Sequence, residues 1–400
     1  MKAVILAAGE GSRMRPLTYT RPKVMLPLAN KPVLEHLLIQ ANKAGVREFI
    51  FVVGYRDEQV RDYFGNGGKW GVSIDYTTQR KQLGTADAIR TVEGLIDENF
   101  LVINGDIVVN PRDIKVLTSK SDNTLSVLEV EDTRDLGVVE VNGDRVTRIY
   151  EKMERPPSHT ANVGLYLFTP DIFDAISQTS KSPRGEYEIT DALQLMIEEG
   201  HHIFYQKVSY WLDLSYPWNL LTANESLLAG IEPQNLGEVE ENVVVKGRVS
   251  IGKNTLIRSG SYIVGPVTIG QDCDIGPNCY IRPHTSIGDN CHIGSAVEVK
   301  NSIIMKGSKI PHHNYVGDSI IGEGCNLGAG TKIANLRLDK QDITAGGVDT
   351  KRRKLGAVMG DRVETGINAS INVGSIIGNN THIGPGAMVS GVILPDSRIF

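Results

Sequence analysis

An aliphatic residue returns every six positions from Val239 onward, at Val245, Ile251, Ile257, Ile263, Ile269, Ile275, Ile281, Ile287, Ile293, Val299 and Met305. The register is lost around Pro311. It resumes at Ile321, Leu327 and Ile333, and again at Ile371, Ile377, Ile383 and Val389. A period of six matches neither a helix at about 3.6 nor a strand at about 2; it is the mark of hexapeptide β-helix repeats. Three hexapeptides close one triangular coil, with each aliphatic side chain entering a common axis and small residues turning the corners. The pattern accounts for an excess of glycine, 42 of 400 residues, because Gly follows the aliphatic position in Ile251-Gly252, Ile269-Gly270, Ile275-Gly276, Ile287-Gly288, Ile293-Gly294 and Ile383-Gly384. Coils share a core only when stacked, so such a segment is stable as an array with capped ends. Residues 306–320 and 335–356 break the register and are expected to project from the solenoid, where loops on a rigid scaffold commonly carry chemistry.

Ahead of the solenoid the grammar is different. Short apolar runs at 3–6, 49–53 and 100–103 alternate with helical patterns at 32–44 and 85–92, which reads as a parallel sheet with crossover helices. The expected organisation is an α/β, Rossmann-like domain over 1–224, a linker over 225–238 and a left-handed parallel β-helix over 239–400. The apolar stretch 3–8 is short and runs straight into Gly9, Glu10 and Arg13, so it reads as a first strand rather than a signal peptide. No window approaches the roughly 18 apolar residues of a membrane span. The net charge of −5 argues against a general partner among nucleic acids or acidic membranes. Cys273, Cys279, Cys291 and Cys325 show no zinc-site spacing and read as reduced, buried side chains of a cytoplasmic protein.

The first strand leads into Leu6-Ala7-Ala8-Gly9-Glu10-Gly11-Ser12-Arg13-Met14, with Arg15, Arg21 and Lys23 close behind. A glycine-containing loop after a strand lets backbone N–H groups cradle phosphates, and the nearby cations suit a polyanion. This opening, with the later Pro22-Lys23, resembles the sugar-1-phosphate nucleotidylyltransferase family. Further matches follow in order: Gln79 and Gln82-Leu83-Gly84-Thr85 resemble its base-recognition segment, Gly105-Asp106 its metal-binding turn, and Gly137 with Glu151-Lys152 its sugar-contacting strand. Asn162 with Gly164, Glu188-Ile189-Thr190-Asp191 and Trp211-Leu212-Asp213 complete the set. The resemblance implies that Leu6, Ala7, Ala8, Gly9, Gln79, Gly84 and Thr85 hold the nucleotide, and that Gly137, Glu151, Lys152 and Asn162 hold the sugar phosphate. Arg13 and Lys23 would grip the triphosphate, and Asp106 with Asp213 would bind one Mg²⁺. In this transfer a sugar-phosphate oxygen attacks the α-phosphate of a nucleoside triphosphate and expels pyrophosphate, so catalysis is positioning and charge neutralisation. Singly, Asp106 and Asp213 also read as a helix cap or a turn former. Glu188 and Asp191 read as a helix-start pair ahead of 192–197.

On the solenoid, Arg282-Pro283, Val297-Glu298-Val299-Lys300, the run from Gly307 through Pro311-His312-His313-Asn314-Tyr315 to Asp318, Asn326-Leu327-Gly328-Ala329-Gly330-Thr331 and Asn335 form a second set. They resemble the acetyltransferase half of the bifunctional enzyme that makes UDP-N-acetylglucosamine, and the resemblance spans essentially the whole chain. Acetyl transfer from a thioester to an amine needs a base, donors for the oxyanion and a cationic grip on the phosphate. By that resemblance His312 is the base, Arg282 and Lys300 grip the sugar phosphate, and Tyr315 and Asn326 orient the sugar. Ala329 and Asn335 would lie along acetyl-CoA. His313 is a rival base on spacing alone. Lys351-Arg352-Arg353-Lys354 reads either as a solvated loop or as a contact for the phosphates of coenzyme A or of the sugar. Leu336 and Ile367 depart from the Tyr and Ser of the bacterial pattern, and 339–353 is a longer insertion, which puts the acyl-donor pocket in question.

The expected activities are uridylyl or thymidylyl transfer from UTP or dTTP to a glucose- or N-acetylglucosamine-type sugar 1-phosphate, and acetylation of glucosamine or galactosamine 1-phosphate. The resemblance further implies a homotrimer built on the β-helix, with the acyl site between subunits. Two other readings stand beside this one: a nucleotidylyltransferase of the glucose- or mannose-activating kind with a purely structural β-helix, and a non-catalytic regulatory subunit. Arg13, Lys23, Asp106 and Asp213 are all intact, which argues against the last.

Overall fold

The computed structural model describes residues 1–134, 136–153 and 155–400. The chain divides into two compact units. One comprises Met1–Glu10, Pro22–Met25 and Val33–Asp213; the other comprises Gly11–Arg21, Leu26–Pro32 and Leu214–Phe400. The boundaries read from sequence, 1–224 and 239–400, and the division of packing at Asp213/Leu214 are therefore different, and two short N-terminal segments are counted with the solenoid. Residues 225–238, read from sequence as a linker, hold the end of the helix Pro217–Ala229 and the short strand Gln234–Asn235.

The first unit is built on a nine-stranded sheet. Ser73–Thr78, Glu48–Val53, Lys2–Ala7 and Phe100–Asn104 run parallel, as the near-continuous apolar runs of the last three suggest. Val4, Val52 and Val102 enter one core, while Ile5, Phe51 and Ile103 enter the other, so these strands are buried on both faces. Beyond Phe100–Asn104 the expected parallel order gives way to a mixed sheet. Thr160–Phe168 is antiparallel to Phe100–Asn104 and to Thr124–Glu129, and Val138–Asn142 pairs antiparallel with Arg145–Tyr150. The last pair is a hairpin closed at Gly143-Asp144, where Gly143 takes a φ of 62°, and a tight hairpin can only be antiparallel.

The second unit is the expected left-handed parallel β-helix, with ladders of nine, nine and eight short strands. Its core is the aliphatic column Ile251, Ile257, Ile263, Ile269 and onward to Val389. Corners fall on Asn254, Asp272, Asn278, Asn290, Asn368 and Asn380, all at φ of 55–58°; Asn and Asp tolerate this left-handed conformation better than other side-chain residues. Glycine after the aliphatic position serves close stacking: a Cβ on Gly294 would lie 2.9 Å from the Cα of Pro311 in the next coil.

The expectation for 306–320 is corrected. These residues do not leave the solenoid; Lys309–His312 and Tyr315–Gly317 are regular ladder strands. Ile287 pairs with Ile304 and Ile304 with Ile321, so these coils hold 17 residues where Ile269 to Ile287 holds 18. One residue is missing from the turn after Val299, so Ile304, Ile310 and Val316 occupy the axis, and Met305 lies outside it, buried elsewhere. The insertion after Ile333 does leave the stack. It forms the hairpin Thr344–Ala345/Val348–Asp349 and returns through the bridge Leu336–Lys354. Its Ile343 is buried and lies where a Cβ on Gly374 would be, 2.7 Å from the Ile343 Cγ2.

Candidate active sites

In the first unit the strand ends carry the residues expected around a nucleotide. Gly105 donates its N–H to the Leu6 carbonyl (2.9 Å), and a Cβ there would come within 2.6 Å of that oxygen, so the Gly105-Asp106 turn sits directly on the end of the first strand. Ala8, Gln79 and Gln82 converge around Gly54, whose Cβ would meet Ala8 O at 2.8 Å, Gln79 O at 3.0 Å and Gln82 Nε2 at 3.0 Å. Gln79 donates to the Gly84 carbonyl (3.0 Å) and to Asp87 (2.9 Å), which fixes the start of the helix Thr85–Arg90. The Thr85 hydroxyl accepts from the Ile189 N–H at 2.9 Å.

Lys23 Nζ donates to Asp106 Oδ2 at 2.6 Å. Burial pushes the Asp106 carboxyl up. The Lys23 ammonium and hydrogen bond, its own N–H and the charge of Lys152 outweigh that and hold it below the ordinary carboxylate range. Asp213 ends the strand Trp211–Asp213 and pairs across it with Ile107, the residue next to Asp106. Two carboxylates are thus presented from adjoining strands, an oxygen-only donor set.

A second cluster gathers the expected sugar residues. Asn162 donates its N–H to the Gly137 carbonyl (2.8 Å), and a Cβ on Gly137 would stand 3.1 Å from Glu151 Oε2. Glu151 accepts from Thr190 Oγ1 (3.1 Å) and pairs with Lys152 (3.3 Å) and with Arg184 (3.4 Å). Arg184, which the sequence reading did not single out, also pairs with Glu188 at 2.9 Å. Glu188 occupies the N-cap position of the helix Ile189–Glu198 but makes no capping bond. It is buried beside Glu151, and burial together with that like charge lifts its carboxyl to about 7. Asp191 is raised for the same reasons. The helix-start reading of this pair was right about position; what it lacked was the neighbour Glu151, 37 residues earlier for Glu188.

The cations near the first loop have unlike fates. Within the second unit, Arg13 is exposed on the short turn Ser12–Met14, its guanidinium 5.6 Å from the centre of the Tyr216 ring. Arg21 is buried against Asp361 (2.6 Å) and Glu323 (3.3 Å), with Thr20 donating to the same Asp361 oxygen. The expectation that Arg21 belongs to a free cluster of phosphate-binding cations is therefore corrected: its charge is spent on two carboxylates of its own unit.

On the solenoid, Arg282, Lys300, Tyr315 and Asn335 lie on or just past successive strands of one face. Arg282 pairs with Glu298 at 2.7 Å and Lys300 with Asp318 at 3.2 Å. Asn335 donates to the Tyr315 hydroxyl (3.1 Å) and to Asp318 (2.5 Å). Asp318 is almost fully buried, and neither it nor Glu298 was given a role from sequence. His312 ends the strand Lys309–His312 of a different face, its side chain exposed, and the Asn326 strand stacks on that same face. The His312 carbonyl accepts from the Gly330 N–H at 3.0 Å, so Ala329-Gly330 lies one coil above His312. His313 turns the corner at φ 52°, and its carbonyl accepts from Lys332 Nζ. One chain therefore brings together Lys300, Tyr315 and Asn335, and separately His312 with Ala329; it does not place Asn326 and Lys300 on one face. Of the basic run 351–354, Arg352 is tied to Thr222 (2.8 Å) and Glu225 (3.7 Å). Leu336 and Ile367, the two departures, are both exposed.

A nucleotide-binding sheet edge joined to a hexapeptide solenoid with its own polar cluster defines a class of protein, the nucleotidyl transferases, whose family model matches residues 2–230. The model of the GMPPB C-terminal domain matches residues 263–372. The chain is 41% identical over 398 residues to the bifunctional sugar-1-phosphate nucleotidylyltransferase/acetyltransferase of Sulfurisphaera tokodaii, covering 98% of this chain and 97% of that protein. It is 41% identical over 394 residues to the bifunctional protein GlmU of Methanocaldococcus jannaschii, covering 97% and 95% of the two chains. Among solved structures, a UDP-glucose pyrophosphorylase complexed with UDP-glucose aligns at a TM-score of 0.52 and 26% identity, over 57% of this chain and 99% of the other. The chain belongs to the family of bifunctional sugar-1-phosphate nucleotidylyltransferases/acetyltransferases and is a transferase of that family.

Proposed function

We propose that the protein carries two active sites. One transfers a uridylyl or thymidylyl group from UTP or dTTP to a glucose- or N-acetylglucosamine-type sugar 1-phosphate; the other acetylates glucosamine or galactosamine 1-phosphate with acetyl-CoA. The observation that carries this reading is that each chemistry finds its own cluster. Lys23, Asp106, Asp213, Glu151 and Lys152 belong to one compact unit, whereas Lys300, Tyr315, Asn335 and His312 belong to the other.

In the first transfer Lys23 neutralises the triphosphate, and Lys152 meets the sugar phosphate. Leu6, Ala7, Ala8, Gly9, Gln79, Gly84 and Thr85 hold the nucleotide, and Gly137, Glu151 and Asn162 hold the sugar. The two carboxylates of Asp106 and Asp213 fit Mg²⁺, which commonly takes one or two carboxylates and completes its shell with phosphates and water. When bound, the cation supplies charge neutralisation at the reacting phosphates. In the second transfer His312 takes a proton from the amine, a task suited to an imidazole whose ordinary pKa is about 6.5. Arg282 and Lys300 hold the phosphate, Tyr315 and Asn326 the sugar, and Ala329 with Asn335 the acetyl-CoA. Because Asn326 and His312 stand on a different face from Lys300, the complete acyl site is read as forming between subunits of a homotrimer. Four buried, unpaired cysteines fit a cytoplasmic protein. Among the described residues no helix is long and apolar enough to cross a membrane.

A second reading, nucleotidyl transfer alone on a structural solenoid, is favoured by the match of residues 263–372 to the GMPPB C-terminal domain. Paired variants separate the two. Asp106→Ala should abolish nucleotidyl transfer and keep acetyl transfer, and His312→Ala should do the reverse. Loss of both activities in either folded variant, or no effect of His312→Ala, would overturn the two-site reading.

A further inference from the structure

The solenoid cluster holds a buried carboxylate, Asp318, that no substrate role accounts for. Asp318 is only 2% exposed, yet its carboxylate collects three side chains: Lys300 Nζ at 3.2 Å and Asn335 Nδ2 at 2.5 Å on Oδ2, and Asn301 Nδ2 at 2.8 Å on Oδ1. Its backbone is pinned as well. The Asp318 N–H donates to the Lys300 carbonyl (2.9 Å), its own carbonyl accepts from Gly356 (2.8 Å), and it turns a corner at φ 48°. Neighbouring Gly317 leaves the room this arrangement needs, since a Cβ there would stand 2.6 Å from the Tyr315 hydroxyl and 2.7 Å from Asn335 Nδ2.

We propose that Asp318 is a positioning residue of the acyl-transfer site, one buried carboxylate that orients Lys300 toward the sugar phosphate and Asn335 toward the acyl donor at the same time. The proposal rests on the acyl-transfer reading of this cluster and on the roles given there to those two residues. A carboxylate accepts through both of its oxygens, so one side chain can serve all three donors at once. With one N–H of Lys300 committed to Asp318, the ammonium keeps two for a phosphate. Asn335 commits both of its N–H groups, one to Tyr315 and one to Asp318, so the group it can turn to a ligand is its carbonyl oxygen, an acceptor for an amide or hydroxyl donor of the acyl carrier. Without Asp318 neither the ammonium's direction nor the orientation of the carboxamide is set. Hydrogen bonds to charged groups are the stronger class, and both substrates should feel the loss of these.

The test is steady-state kinetics of acetyl transfer in the full chain, with glucosamine 1-phosphate and acetyl-CoA varied in turn. Asp318→Asn keeps the volume but sets an amide hydrogen against one of the donors. It should raise both KM values about tenfold or more, while Lys300→Met raises only that for the sugar phosphate and Asn335→Ala only that for acetyl-CoA. Added to Lys300→Met, Asp318→Asn should raise the acetyl-CoA KM alone. Nucleotidyl transfer and the melting temperature of the same preparations report that the fold is intact. Unchanged KM values in a folded Asp318→Asn, or a fall in kcat alone, would overturn the proposal. Should that variant fail to fold, the Lys300→Met/Asn335→Ala cycle serves instead: the two share one carboxylate oxygen, so their effects on kcat/KM should be non-additive, and additivity overturns the proposal. If the wild-type chain acetylates neither amino-sugar phosphate, the acyl-transfer reading itself falls; an active wild type with an indifferent Asp318 sinks this inference alone.

Discussion

Gly84→Ala tests whether the nucleotide segment is held by backbone geometry rather than by side chains. Gly84 sits at φ 107° and ψ 177°, a region that residues with a Cβ scarcely enter. Forcing alanine there costs roughly 1–3 kcal/mol in backbone strain. The added carbon also has nowhere to go. It would lie 2.8 Å from the Tyr187 nitrogen and 2.9 Å from its carbonyl carbon, with the oxygen closer still. Tyr187 cannot easily retreat, because its N–H donates to Leu83 (2.7 Å) and its carbonyl accepts from Ala86 (2.9 Å). Losing one such bond adds about 1 kcal/mol. A total of roughly 2–4 kcal/mol, felt as displacement of 79–87, corresponds to about a 30- to 900-fold fall in kcat/KM for the nucleoside triphosphate. The assay is pyrophosphate release at varied UTP and dTTP, with acetyl transfer by the same preparation as the internal control. Acetyl transfer should stay within about twofold of wild type. A variant within about threefold of wild type in nucleotidyl transfer would show that this clamp does not position the nucleotide.

Two further outcomes follow from charges that the fold has buried. Folded, Glu188 loses its proton only near 7, against 4.5 for the ordinary side chain; the folded state therefore binds more protons between those values, and stability falls as pH rises through that window. Glu188→Gln removes this slope, so relative to wild type it should gain roughly 2–3 kcal/mol between pH 5 and pH 8 in urea unfolding; an equal difference at both pH values would refute the assignment. Asp361→Ala leaves the buried Arg21 guanidinium with Glu323 at 3.3 Å as its remaining carboxylate, and breaking a buried pair from one side typically costs about 3–5 kcal/mol. The variant should melt earlier and be cut faster by trypsin after Arg13, and unchanged melting and cleavage would contradict it.

The solenoid was legible because its signal is local. A six-residue spacing reports which side chains point inward whatever the coils later touch, and Ile251 through Val299 fell on the axis as the spacing required. The same reading slipped at Met305, since Ile303, Ile304 and Met305 are all apolar and a one-residue deletion leaves no mark in such a run. Only the ladder, which pairs Ile304 with Ile287 and Ile321, selects among the three. In the first unit three of the four parallel strands were visible as apolar runs; Ser73–Thr78, with the sequence SIDYTT, was not. The antiparallel half was not, because strand direction depends on pairings that apolar content does not encode.

By itself, then, the order of residues determined the two kinds of architecture and the axis of the solenoid, because both are written in short-range spacing. What the tertiary structure decided is which charges meet. Lys23 finds Asp106 across 83 residues, Glu188 is driven to hold its proton by burial beside Glu151, and Arg21 is taken out of the phosphate set by Asp361. Asp318 gathers Lys300 and Asn335 in the same way. Electrostatic interactions depend on separation in space and on exclusion of water, and neither quantity exists until the chain has folded.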